Sequence, residues 1–398
     1  MKRKRHLIFL RDIFWLALTA FGGPQAHMAL YFRVLVKKRA YLTEEELIEL
    51  HALCQILPGP TSTQTLTAIG FKRGGASLAY LTLLVWVLPA LCLMTLFGLT
   101  AGYLQKNGFS LDFTRFIQPM AIGFVAYAAY KIARKVVRTK TAFFLMLAAA
   151  LISYLIRNPW VFPLTLIVSG LISGLKFGQQ AKAEKEPLRI EWANFILYLG
   201  VALGSAVLGG ITRWLPIRLF ENFYRNGSLI FGGGQVLIPI LLTEFVDFKG
   251  YLTESQFLSG YAMVQAIPGP VFSFSAYVGA LALPQNEAVF DSVWGGVLGA
   301  LIASAGIFLP GTFLIFFVIR FWEQLKKYRL VRASLEGING ASSGLVIAGA
   351  LLLMEPLAFT WLNVSLGIGT FLLLLLTRVP APLIIGSGLL LGLVLPVG

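Results

Sequence analysis

Long apolar runs fill most of this chain, and short polar stretches punctuate them. Runs such as 76–100, 142–156 and 366–376 are nearly free of charge. They predict an all-α integral membrane protein with spans near 75–104, 114–133, 141–156, 160–175 and 192–212. Further spans are predicted near 293–319, 334–354, 357–377 and 381–397. Two stretches depart from this pattern. Residues 9–36 are interrupted by Gly22-Gly23-Pro24, and residues 44–71 by Pro58-Gly59-Pro60. Each fragment holds roughly 10–15 residues, short of the ~20 a helix needs to cross the hydrocarbon core. Their flanks, Arg3–Arg5, Lys37–Arg39 and Lys72–Arg73, are all basic and so read as lying on one side of the membrane. The pattern predicts two re-entrant helical hairpins per half, because irregular backbone is tolerated at membrane depth only under protein or facing water. Ordinary spans kinked at proline are the alternative.

The interrupted region is written twice. Phe21-Gly22-Gly23-Pro24-Gln25 recurs as Phe231-Gly232-Gly233-Gly234-Gln235, and Tyr41-Leu42-Thr43-Glu44 as Tyr251-Leu252-Thr253-Glu254. Gln55, Pro58, Gly59 and Pro60 recur as Gln265, Pro268, Gly269 and Pro270, all at one offset of 210. Downstream, Gly74-Gly75, Pro89, Gln118 and Gly123 match Gly295-Gly296, Pro310, Asn339 and Gly344 at an offset of 221, which implies an insertion near 284–291. Gly/Pro-interrupted hydrophobic segments at corresponding places in two halves point to a transporter substrate site.

Charge sets orientation. Basic residues cluster at 131–140 and 320–332, as in cytoplasmic loops, so the net charge of +15 reads as topology and does not call for a nucleic-acid partner. The polar stretch 179–191 divides an N-terminal repeat, 1–178, from a C-terminal repeat, 192–398. The counterpart of the Lys72 loop, 284–291, lacks Lys and Arg and reads as outside. The two halves therefore have inverted topology, with the N-terminus cytoplasmic and the C-terminus outside. Lys2–Arg5 read as a cytoplasmic tail. Cys54 and Cys92 lie in apolar stretches and form neither a disulfide framework nor a metal-ligand spacing.

The breaks carry the candidate chemistry. Pro24 and Pro60 suit first positions of helices, and a helix starting at mid-membrane presents free N–H groups and a positive dipole end. Thr61, Ser62, Thr63 and Gln64 follow Pro60, and Ser273 and Ser275 follow Pro270. Gly22-Gly23 and Gly232-Gly233-Gly234 permit close backbone approach. Gln25, Gln235, Gln55 and Gln265 flank the breaks, and Gln118 and Asn339 add a polar pair inside apolar spans. Helix starts and amide donors favour an anion, while carbonyl ends beside the same breaks offer a cation site. The plainer reading makes Pro-Gly-Pro a tight turn and the glutamines interhelical hydrogen bonds.

In their order and duplication, Phe-Gly-Gly-Pro/Gly, Tyr-Leu-Thr-Glu and Gln-x-x-Pro-Gly-Pro resemble the chromate ion transporter family in its long, two-domain form. The resemblance covers nearly the whole chain. It implies duplicated membrane domains of opposite orientation and export of chromate, a tetrahedral dianion, across the cytoplasmic membrane. Carried over, the family motifs fall on Phe21, Gly22, Gly23, Pro24, Pro58, Gly59 and Pro60, and on Phe231, Gly232, Gly233, Pro268, Gly269 and Pro270. Gly234 departs from the proline that symmetry with Pro24 would supply.

Such a secondary transporter is driven by membrane potential, by a proton gradient or by both. A dianion leaving a cell negative inside gains ~2.3 kcal/mol per charge per 100 mV. Proton coupling needs a titratable group, for which Glu44, Glu254 and His27 are candidates. An acidic helix start and a packed histidine are the plainer readings. Arg33, Arg115 and Arg225 lie near apolar segments, where anion recruitment competes with loop or snorkelling roles. Sulfate or another oxyanion, and an anion channel, remain open. A membrane chromate reductase is the distant alternative, since the chain has neither a dinucleotide fingerprint nor a Cys/His ligand cluster. No cofactor is expected. The lipid bilayer is a partner, and a homodimer stays open.

Overall fold

The computed structural model describes residues 2–395 apart from 22, 109–111, 157, 159, 177–190, 232–233, 326–327, 356, 358 and 378. Among the described residues every regular element is helical. The first half runs α1 (Lys2–Thr19), α2 (Gly23–Tyr31), a π-helical turn (Phe32–Lys38), α3 (Glu44–Ile56), α4 (Thr61–Lys106), α5 (Ile117–Val136), α6 (Lys140–Leu155) and α7 (Val161–Gly174). α8 (Ala193–Thr212) joins the halves. The second half repeats the order with α9 (Leu215–Leu229), α10 (Gly234–Leu242), a π-helical turn (Thr243–Phe248), α11 (Glu254–Ala266), α12 (Phe274–Asn286) and α13 (Val293–Val318). It closes with the short α14 (Trp322–Leu325), α15 (Arg329–Met354), α16 (Trp361–Leu376) and α17 (Ala381–Val394). α8 and α14 stand outside the repeat. The expected linker, 179–191, lies almost wholly outside the described residues.

α4, α8, α13 and α15 are long and apolar enough to cross a membrane. α6 and α7 have 16 and 14 residues, as do their counterparts α16 and α17. At 1.5 Å per residue these pairs measure only about 24 and 21 Å, shorter than the full spans expected near 141–156, 160–175, 357–377 and 381–397. The expected breaks are real interruptions: α1 ends at Thr19 and α2 starts at Gly23, and α3 ends at Ile56 with α4 starting at Thr61. α4 itself turns a corner at Gly75 (φ 72°, ψ −165°), separating a short hairpin arm from a long span. In the second half the corner is made by 287–292, and Gly295-Gly296 lie within the first turn of α13. The matched glycine pairs are therefore equivalent in sequence but not in conformation.

Tyr-Leu-Thr-Glu is explained locally. Thr43 caps α3, accepting from Glu46 N (3.2 Å) while the Glu46 carboxylate accepts from Thr43 N (2.9 Å). Thr253 and Gln256 build the same box at α11. Before each cap the chain turns through a residue of positive φ, Ala40 (48°) or Gly250 (60°), and Tyr41 N or Tyr251 N donates back to Leu35 O or Phe245 O.

The halves are intertwined. α15 packs on α6 and α7 of the first half, α16 packs on α5, and α5 and α15 pack on each other. Small residues make the close approaches that membrane helices need. A methyl group on Gly123 would come within 2.5 Å of the Gly367 carbonyl oxygen, and one on its repeat mate Gly344 within 2.1 Å of the Met146 carbonyl oxygen.

Candidate functional site: a junction of helix breaks

The two Pro-Gly-Pro turns meet the other half's glycine break. Gly59 N–H donates to Ile230 O at 2.7 Å, and Gly269 N–H donates to Ala20 O at 2.9 Å. Residues 20 and 230, like 59 and 269, are repeat mates, so the two bonds are reciprocal. Both glycines hold a φ (117° and 116°) that side-chain-bearing residues avoid. A methyl group on Gly59 would meet Gln64 Nε2 at 2.7 Å, and one on Gly269 would meet Ala90 Cβ at 2.8 Å. Gly311, repeat mate of Ala90, sits 3.5 Å from that Gly59 methyl position. The residues after Pro89 and Pro310 therefore each brace the opposite half's turn. The sequence revealed these prolines as a pair but not that they reach across.

Four helix ends thus share one buried place: the C-terminus of α1, the start of α4 and their two counterparts. Pro60 is the cap residue of α4, one position before the expected first residue, and Pro24 is the second residue of α2. Thr61, Ser62 and Thr63 occupy the first turn of α4, where N–H groups have no intrahelical acceptor, and their side chains are buried. Gln64 donates to Pro58 O (2.6 Å), and among the described residues its buried Oε1 has no partner. Gly22, Gly232 and Gly233 lie outside the described residues, as do the side chains of Pro24, Gln25 and Gln235.

A polar cluster supports the first-half start. His27 is 1% exposed. Its Nε2 lies 3.1 Å from Ala20 O and its Nδ1 3.0 Å from Ser62 Oγ. The carbonyl can only accept, so Nε2 carries the proton and Ser62 donates to Nδ1. Ala20 O therefore accepts from both His27 and Gly269. Trp86 Nε1 donates to Thr63 Oγ1 (3.1 Å), Tyr31 OH donates to Ser62 O (3.3 Å), and the Trp86 ring meets His27 edge to face at 5.3 Å. Trp86 and Tyr31 escape a reading based on the break motifs because each sits inside an apolar run.

The second-half start differs. The repeat mates of His27, Tyr31, Ser62 and Trp86 are Leu237, Leu241, Phe272 and Ile307, all buried. A 3-10 turn, Val271–Ser273, replaces the first α-helical turn. Among the described residues, Ser273 and Ser275 are fully buried with no hydrogen-bond partner for Oγ. A methyl group on Gly234 would meet Val271 Cβ at 3.1 Å, so a side chain where symmetry with Pro24 would place one needs Val271 to give way.

Other expected residues lie elsewhere. Gln55 is exposed and bonds His51 (3.0 Å). Gln118 reaches from α5 to Ser255 Oγ (2.9 Å) in the first turn of α11, about 16 Å along the helix from the Pro-Gly-Pro end. Glu44 and Glu254 open α3 and α11, about 18 Å of helix from the junction. Asn339 is half-buried on α15.

Comparison with known proteins decides the family. A model described as "Chromate transporter" matches residues 7–175 and 217–393, one part per half. This chain belongs to the chromate transporter family. It is 26% identical to the chromate transport protein of Pseudomonas aeruginosa over 89% of this chain and 82% of that one. It is 27% identical to a probable chromate transport protein of Synechococcus elongatus over 85% and 82%. An uncharacterized transporter of Bacillus subtilis, YwrA, is 28% identical over 46% of this chain and 98% of its own length. No solved structure matches. Both matched parts of the chromate transporter model end before or begin after α8, which marks α8 as the connector between repeats.

Proposed function

We propose that the chain is a secondary transporter of chromate whose substrate site is the junction of breaks. The reciprocal Gly59–Ile230 and Gly269–Ala20 bonds carry this reading, because they put a donor-rich helix start from one half and unpartnered serines from the other in one buried place. A tetrahedral dianion suits free N–H groups and hydroxyls at a helix N-terminus. The membrane potential favours its exit by about 4.6 kcal/mol per 100 mV at ~2.3 kcal/mol per charge. Export from the cytoplasm, with the N-terminus inside, the C-terminus outside and the repeats on either side of α8 inverted, is the matching topology.

His27 is the titratable group at the junction and the proposed point of proton coupling. A second proton on its ring requires Ser62 to turn its hydroxyl from donor to acceptor, which alters the first turn of α4 directly. The test is flux of labelled chromate and sulfate into vesicles of purified protein, with and without a pH gradient. Ser62→Ala should cut chromate flux, and His27→Leu, the residue of the other half, should remove its response to the gradient. Chromate flux untouched by Ser62→Ala and by Gly59→Ala would place the substrate elsewhere.

A further inference from the structure

A cavity of about 400 Å³ opens between α1 and the arm formed by α2 and its π-helical turn. One wall is apolar: Trp15, Leu16, Leu30 and Val34. The rim carries four cations, Arg11, Arg33, Lys38 and Arg39, against one carboxylate, Asp12. Asp12 is already engaged by Arg39 Nη2 (2.6 Å) and the Tyr41 hydroxyl (2.6 Å). Among the described residues, no carboxylate lies within ion-pair distance of Arg11, Arg33 or Lys38, and all three are exposed. Thr19, at the end of α1 next to Ala20 of the junction, also lines the cavity.

The second half shows what the same framework does when its charge is satisfied. There Arg11 is replaced by Glu221, Trp15 by Arg225, Val34 by Glu244 and Lys38 by Phe248. Arg225 bridges Glu221 (2.9 Å) and Glu244 (2.5 Å), Lys249 lies 3.5 Å from Glu244, and Glu244 is fully buried. Glu221 and Glu244 there answer Arg225 and Lys249. The first half keeps the positions but leaves three cations unanswered above an apolar wall.

We propose that this groove binds a tetrahedral, phosphate-like oxyanion through Arg11, Arg33 and Lys38. Guanidinium forks match such an anion two bonds at a time. The anion is either the headgroup of an anionic lipid whose chain lies along Trp15 and Leu30, or an aqueous oxyanion on its way to Thr19 and the junction.

Trp15 provides the readout. The full chain is placed in phosphatidylcholine nanodiscs and its tryptophan emission titrated with two probes: chromate, which absorbs in the emission band, and phosphatidylglycerol with brominated acyl chains. At least one probe should quench saturably, and Trp15→Phe should remove that component. Quenching that survives Trp15→Phe reports tryptophans elsewhere, Trp86 at the junction among them, and does not count for the groove. Arg11→Gln/Arg33→Gln should weaken the Trp15 component roughly tenfold or more, as loss of two charge-assisted partners requires. Arg11→Lys/Arg33→Lys keeps the charge but loses the forks, and should weaken the component less than the glutamine pair does. A Trp15 component seen only with brominated lipid assigns the headgroup, and one seen only with chromate assigns the aqueous anion. A Trp15 component equal in native and glutamine variants, none with either probe, or one lost as fully in the lysine variant, would overturn the proposal.

Discussion

The two halves of this chromate transporter share a backbone plan and differ in where they keep polarity. In the first half the polar groups are spread along the hairpins: a buried histidine, tryptophan and hydroxyl cluster at the junction, and an open basic groove beside α1. In the second half the junction is lined by Leu237, Leu241, Phe272 and Ile307, and the charges are gathered into one closed network around Glu244. A second cavity also borders a first-half helix. It lies along α3, between Glu45, Glu49 and Trp322 of α14. Ile48 and Gln55 on α3 are exposed, whereas their mates on α11, Leu258 and Gln265, are buried and half-buried. Duplication thus supplied the symmetric frame, and divergence left the first half with a buried polar cluster and exposed cations and the second with paired charges.

The sharpest way to break this contrast is to exchange residues at position 34 and its mate 244. Glu244→Val strands Arg225 and Lys249 without their shared carboxylate and should destabilise the protein by about 3–5 kcal/mol, read as a large drop in melting temperature in detergent. Val34→Glu installs the missing acid in the first-half groove and should leave the melting temperature nearly unchanged. Equal effects on stability would show that the two grooves are not differently satisfied.

The junction turns come next. Gly59→Ala and Gly269→Ala each force a side-chain-bearing residue into a glycine conformation, roughly 1–3 kcal/mol, and both should abolish chromate flux. Gly269→Ala should be the worse in stability, because its obstacle is the Cβ of Ala90 while that of Gly59 is the flexible end of Gln64. The smallest effect lies where the halves agree. Thr43→Ala and Thr253→Ala each remove one capping box and should lose about 1 kcal/mol alike, with denaturant midpoints shifted by the same amount.

Much of the frame was legible beforehand. The offset of 210 located both hairpin tips, and the breaks at Gly22-Gly23 and Pro58–Pro60 fall within a residue or two of their observed positions, because Gly and Pro act on their own backbone. The span expected near 192–212 is α8, at 193–212. What the sequence left hidden is tertiary. A repeat says that two segments are alike but not that Gly59 bonds Ile230, or that Gly123 and Gly344 mark crossings with the opposite half's helices. Trp86 and Tyr31 stay unmarked in the sequence because the pattern of an apolar run does not show where an indole N–H or a phenol points. Gln55 and Gln118 read as lining because a glutamine in an apolar run has no visible partner until the facing helix is known.

The two short bonds at Gly59 and Gly269 tie each turn to the opposite arm and not to its own. Neither hairpin can swing by itself: one that moves must carry its counterpart along or shear a link worth only about 1 kcal/mol. The two halves are in this way geared to a single pivot, and the oxygen of Ala20, held by His27 from one side and by Gly269 from the other, is the tooth where the two levers mesh.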